Sequence, residues 1–213
     1  PGNDAAGWLE SAWALIQHKR VDGMGLRRPL DSSLRSMFLL FGQNLQDGIT
    51  ITAFCSALAC VLAVVQVQKT FGWLIAAIFF LSTAVMIKPH VPLVMSELHG
   101  FAFGCLAFSC LWMSATNKNL ILYWGIGLAF MSIGLEVRPG PMFILLGVLI
   151  YGLSASRYSS YSRFTFVIVG LLAAGLGFFG SNLLTFYWSD SIGLSHPQFA
   201  YTFYGMVRGG LGW

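Results

Sequence analysis

Ile49-Thr50-Ile51-Thr52-Ala53-Phe54-Cys55-Ser56-Ala57-Leu58-Ala59-Cys60-Val61-Leu62-Ala63-Val64-Val65-Gln66-Val67 contains no charged residue. Wound as a helix at about 1.5 Å per residue, it is long enough to cross the ~30 Å hydrocarbon core of a bilayer. Further apolar runs follow: Phe71–Ile87, Val91–Met113, Leu120–Leu135, Pro141–Leu153 and Phe164–Trp188. Only 9% of the 213 residues are charged, where a soluble domain carries about a quarter, and the mean hydropathy is +0.72. The expected fold is therefore all-α: a polytopic transmembrane helical bundle of about six spans over residues 49–188. An external loop with an amphipathic interfacial helix (1–48) precedes it, and a second external loop (189–213) follows. The chain opens on Pro1 and closes on Gly209-Gly210-Leu211-Gly212-Trp213, so the expectation is a fragment, with at least one more helix upstream and more chain downstream.

The net charge is +4 and aromatic residues make up 15% of the chain, which suits interfacial Trp and Tyr. No Lys/Arg block resembles a nucleic-acid footprint, and nucleic acid is not expected as a partner. Cys55, Cys60, Cys105 and Cys110 all lie within apolar runs, where free Cys acts as a small hydrophobe. With six crossings, all eight carboxylates fall on one face, and the other carries Lys69, Lys118, Arg157 and Arg163 without an acid. Lys and Arg in short loops are too evenly split for the positive-inside rule to orient the chain. The long loops are placed outside, in a bacterial inner membrane.

Before the first span, Trp8, Ala12 and Leu15, flanked by Leu9, Trp13 and Ile16, recur at helical spacing and predict a short helix in the membrane interface. Gln17–Leu34, interrupted by Gly23, Gly25 and Pro29, reads as a loop over the outer face, with Met37–Phe41 re-entering the interface. The fifth run is short for a crossing. Leu120–Leu153 is either a tilted pair broken at Arg138-Pro139-Gly140-Pro141 or a re-entrant hairpin buried in protein.

The few ionisable residues carry the candidate chemistry. Asp4 precedes the first helix, where it serves as an N-cap or as a general base at the membrane surface. Glu97 is expected about a turn and a half inside the third span, where a carboxylate faces a polar cavity or a partner, or else reads as a helix-end carboxylate that reaches the water and is favoured by the N-terminal dipole. Lys88, His90 and His99 lie near it in sequence, and a Glu/His metal pair is a weaker reading. Glu136 and Arg138 flank Val137, close enough to neutralise each other; Arg138 at a helix break also suits an anion, because guanidinium matches phosphate with two parallel bonds. Arg27 and Arg28, followed by Arg35, suit a phosphate or lipid headgroups. No Walker A sequence, Gly-x-Ser-x-Gly elbow, His-Glu-x-x-His or Cys-x-x-Cys occurs in the chain, so ATP-driven pumping and serine or zinc hydrolysis have no support.

Gly2-Asn3-Asp4 followed by Trp8-Leu9-Glu10-Ser11-Ala12, then Arg27-Arg28-Pro29, resembles the first external loop of GT-C membrane glycosyltransferases. The branch with protein O-mannosyltransferases and lipid A aminoarabinose transferases is the nearest match. Ser96-Glu97 at a helix start, Glu136-Val137-Arg138-Pro139 between spans, and the closing Tyr204-Gly205-Met206-Val207-Arg208-Gly209-Gly210-Leu211-Gly212-Trp213 agree with it. Asn3-Asp4 followed by Ala departs from that family's commoner Asp-Glu pair with a nearby Tyr. The resemblance implies transfer of a sugar from a polyprenyl-phosphate donor, with inversion, to a lipid, protein or glycan acceptor at the periplasmic or luminal face. It implies Asp4 as base, Arg138, Arg28 and Arg27 on the lipid phosphate, and Glu97 positioning the acceptor or helping to bind a divalent metal ion. His90, Lys88, Glu136 and His99 would be auxiliary. A transporter or flippase for a lipid-linked or anionic substrate, a polysaccharide polymerase or ligase, and a purely structural subunit are the competing readings.

Overall fold

The computed structural model describes residues 2–17, 29–42, 44–91, 96–116, 120–138, 143–155 and 162–189. Each apolar run became a helix. Leu45–Phe71 (α3), Trp73–Ile87 (α4), Glu97–Thr116 (α5), Leu120–Val137 (α6), Phe143–Ala155 (α7) and Arg163–Ser189 (α8) follow two N-terminal helices, Gly2–Ile16 (α1) and Pro29–Gly42 (α2). No strand occurs among the described residues, and the chain is an all-α helical bundle. Among the described residues four helices are long and apolar enough to cross a membrane, Gln46–Phe71, Trp73–His90, Glu97–Thr116 and Arg163–Tyr187; Ile121–Val137 is apolar but shorter.

Local signals set the helix ends. The Asn44 side chain accepts a hydrogen bond from the Gln46 N–H (3.0 Å), Asp47 sits in the first turn of α3, and Lys69 in its last, each matching the helix dipole. Gly72, with φ +86°, forms the whole connection to α4; an L side chain there would be strained.

The bundle centre is built by α5 against α6, α6 against α8, and α3 against α5. Trp124, Leu128, Met131 and Leu135 of α6 bury against Ala107 and Phe166, and the Trp124 indole N–H donates to the Phe166 carbonyl (3.1 Å). Small residues let the helices approach closely. A Cβ built on Gly177 would lie 2.7 Å from the Ala129 carbonyl oxygen. Several hydroxyls inside the helices are turned back onto their own backbones, as Ser132 is onto Leu128 and Ser181 onto Gly177, which satisfies their O–H groups inside the bundle. By contrast, α4 buries only Ala76 and exposes Trp73, Leu74, Ile78, Leu81, Val85 and Met86. That surface suits lipid, and the protein is an integral membrane protein.

The N-terminal expectations are corrected in three places. Helix α1 starts at Gly2, so Asp4 lies inside its first turn and not ahead of it. The stripe containing Ala12 and Leu15 is buried against α2 and not turned to lipid, and Trp13 is exposed. The predicted loop ends early, because Pro29–Gly42 is helical. Proline at the first helical position loses no hydrogen bond, and Asp31 in the first turn favours the dipole. Residues 18–28, with Arg27 and Arg28, and residues 190–213 lie outside the described residues.

Candidate functional site

Two polar clusters stand at the end of the bundle where α3 and α5 begin and α6 finishes. The first is centred on Asp31, which is fully buried. Arg35, one helical turn on, donates through Nε to Asp31 Oδ2 (2.8 Å) and through Nη2 to Oδ1 (3.4 Å). From α5, His99 approaches Asp31 Oδ1 through Nδ1 (2.7 Å). An ionised carboxylate can only accept, so Nδ1 carries the proton of this bond. Phe38 covers the imidazole with ring centroids 5.7 Å apart, and Ser33, Ser36 and Arg35 are buried beside them. Burial alone would raise the Asp31 pKa, but the nearby Arg35 and His99 charges and their hydrogen bonds more than offset it and lower it to about 2. The polar face of α2 is thereby keyed to a transmembrane helix.

The second cluster joins two helix ends. Glu97 is the first residue of α5, and Arg138 follows the last residue of α6. Arg138 donates through Nη1 to Glu97 Oε1. Glu97 is therefore at a helix mouth, the second of its two expected placements and not a turn and a half inside a span, and the deep-insertion cost does not arise there. Its carboxylate faces the N-terminal dipole of α5, and the Arg138 guanidinium faces the C-terminal dipole of α6. Glu97 is mostly covered, at 18% exposure of the side chain, whereas Arg138 is 47% exposed. Arg138 thus reaches across to Glu97, a partner that sequence proximity did not nominate, while Glu136 is buried at the end of α6.

Glu97, Arg138 and His90 line one end of a cavity of about 610 Å³, walled by apolar side chains that include Phe101, Met131 and Ile144. Helices α4, α5, α6 and α7 all contribute to its wall. Glu97 Oε2 and His90 Nδ1 are both buried without a hydrogen-bond partner among the described residues, so both are available to a bound group. An apolar chamber with a cation, an anion and an imidazole at its mouth can hold an amphiphile: tail in the chamber, charged head on the rim.

Among the described side chains, the remaining candidates do not line the cavity. His99 belongs to the Asp31 cluster and is not part of the cavity wall; Lys88 is exposed on the turn Lys88–His90. Asp4 has only its place in α1. Among the described residues no three His, Cys, Asp or Glu side chains converge as metal ligands. Sequence reasoning missed Asp31 and Arg35 as a pair. The signal was present: an acid and a base at i,i+4 behind Pro29, with serines between.

No protein-family profile, no curated protein and no solved structure matches the chain. The functional reading therefore rests on the residues and their geometry.

Proposed function

We propose that the protein is a membrane glycosyltransferase, moving a sugar from a polyprenyl-phosphate donor to an acceptor at the periplasmic face of a bacterial inner membrane, with inversion. The observation that carries this reading is the apolar cavity with Arg138, Glu97 and His90 at one end. A polyprenyl chain fits an apolar space reached from the bilayer, and its phosphate fits a half-exposed guanidinium at the water boundary. In the proposed reaction Asp4 accepts the proton of the acceptor hydroxyl, whose oxygen attacks the anomeric carbon. The carbon–oxygen bond to the lipid phosphate breaks, and the phosphate leaves with the electron pair. Arg138 stabilises the charge that develops on it. Glu97 and His90, beside the guanidinium, contact the sugar or the acceptor.

The test is transfer of radiolabelled sugar from a panel of polyprenyl-phosphate donors by membranes containing the protein. Wild type is compared with Asp4→Asn and Arg138→Gln at equal folded amounts. Loss of transfer in Asp4→Asn with donor binding retained, and weakened donor binding in Arg138→Gln, support the reading. Undiminished transfer by Asp4→Asn removes Asp4 from the mechanism. Movement of labelled donor across sealed vesicles, without transfer to any acceptor, replaces the transferase by a flippase, which the same cavity would serve.

A further inference from the structure

We propose that Glu97 is a displaceable counter-ion of Arg138: it neutralises the guanidinium at the cavity mouth until an anionic headgroup takes its place, and it thereby sets how strongly the cavity binds anions. The inference rests on the reading of the cavity as the site of an anionic amphiphile, and adds to it what the carboxylate does.

The geometry of the pair is the first argument. Guanidinium and carboxylate can meet fork to fork with two parallel hydrogen bonds, yet here the contact is one bond, Nη1 to Oε1. The other carboxylate oxygen, Oε2, is buried with no partner among the described residues, which is a costly state for a charged acceptor. The Asp31–Arg35 pair shows the contrast, since both carboxylate oxygens there are engaged by Arg35 and His99. Glu97 and Arg138 are thus incompletely matched, whereas a phosphate oxygen pair would match the guanidinium on two bonds.

Access is the second argument. Arg138 is the more exposed partner, 47% against 18% for Glu97, so an incoming anion meets the guanidinium first. The third argument is what remains after exchange. Glu97 opens α5, so its carboxylate keeps the favourable end of that helix dipole without Arg138. His90 also lies on the cavity wall, its Nδ1 without a partner among the described residues. Anion binding would then release a carboxylate with two acceptor oxygens next to the bound headgroup, where it can accept hydrogen bonds from the sugar or the acceptor.

The two roles open to Glu97 predict opposite signs. A clamp that merely holds Arg138 in position would make anion binding weaker when it is removed. A competing counter-ion would make it stronger, because a like charge beside the incoming anion is gone. Between the limits for water and for a protein surface, that repulsion corresponds to about tenfold in affinity, or about 1.4 kcal/mol.

The experiment measures binding of pyrene-tagged decyl phosphate and of the uncharged decyl alcohol analogue to the full chain in nanodiscs of zwitterionic lipid. Glu97→Gln is expected to bind the phosphate about tenfold more tightly than wild type, with the alcohol unchanged. Glu97→Ala should match it, which ties the gain to charge and not to shape. Arg138→Gln should lose the preference for phosphate. Equal or weaker phosphate binding by Glu97→Gln, with the preference intact in wild type and lost in Arg138→Gln, overturns the counter-ion role and leaves the anion site standing. No preference for phosphate over alcohol in wild type overturns the anion site and the counter-ion role together.

Discussion

Replacing Asp31 by Ala should destabilise the protein by about 3–5 kcal/mol, the range for removing one partner of a buried ion pair. The structure supplies the reasons. Asp31 is 0% exposed and Arg35 8%, so the deletion strands a guanidinium away from water and leaves the His99 Nδ1–H without its acceptor. A separate measure comes from titration. The Asp31 pKa is lowered from 3.8 to about 2, just under two units, and at about 1.4 kcal/mol per unit this is about 2–3 kcal/mol of stability at neutral pH. The deletion exceeds this figure because protonation keeps the side chain and its hydrogen bonds in part, whereas truncation does not. The sign follows from the depressed pKa: the contribution is complete above the unfolded value near pH 4 and is lost as pH falls towards 2. Between pH 5 and 8 Asp31 should add no slope. The assay is reversible unfolding in mixed micelles, followed by circular dichroism, for wild type, Asp31→Ala and the paired apolar variant Asp31→Leu/Arg35→Met. The paired variant should recover most of the loss, since well-packed apolar groups replace a buried pair at little cost. A loss under about 1 kcal/mol for Asp31→Ala, or an acid-induced drop that persists in it unchanged, would refute a buried, ionised Asp31.

Gly177→Ala should lower the melting temperature and cost about 1–3 kcal/mol, because its Cβ would press 2.7 Å from a backbone oxygen that cannot rotate away; Gly175→Ala, with nothing within 4 Å, is the neutral control. Trp124→Phe keeps the ring but leaves the Phe166 carbonyl without its indole donor, and the same unfolding assay should show a loss of about 1 kcal/mol. In a cysteine-free background, Lys69→Cys and Lys88→Cys flank the apolar helix Trp73–Ile87 and should react with a membrane-impermeant maleimide from opposite sides of sealed vesicles. Reaction of both from one side would show that this helix does not cross.

Much of the candidate site was legible in part. Glu97, Arg138 and His90 stand out as ionisable residues bordering apolar runs, and among the described acids Asp31, Asp47, Glu97 and Glu136 all lie at or beside the helix ends where α3 and α5 begin and α6 finishes. Their mutual pairing was not legible, because Glu136 lies two residues from Arg138 and Glu97 lies 41 away. Asp31 was hidden differently. The glycines and bases ahead of it drew Gln17–Leu34 into a loop, although Pro29, Asp31 and Arg35 carry the pattern of a helix start followed by an i,i+4 ion pair. Propensity there is weak in either direction, and the helix is stable because its polar face finds His99 and its other faces meet α1, α3 and α8.

What the sequence by itself determined is the set of apolar helices and the end of the bundle at which charge collects. Those properties are local and large: each helix satisfies its own backbone, and every charge placed in hydrocarbon costs kilocalories, so no tertiary arrangement is needed to specify them. Only the tertiary structure decided which charges meet. Asp31 and His99 are 68 residues apart, and the walls of the cavity come from four helices. Such contacts depend on how small residues let the helices close on one another and on which polar group each buried acid finds. These are differences of a few kilocalories that no single segment encodes.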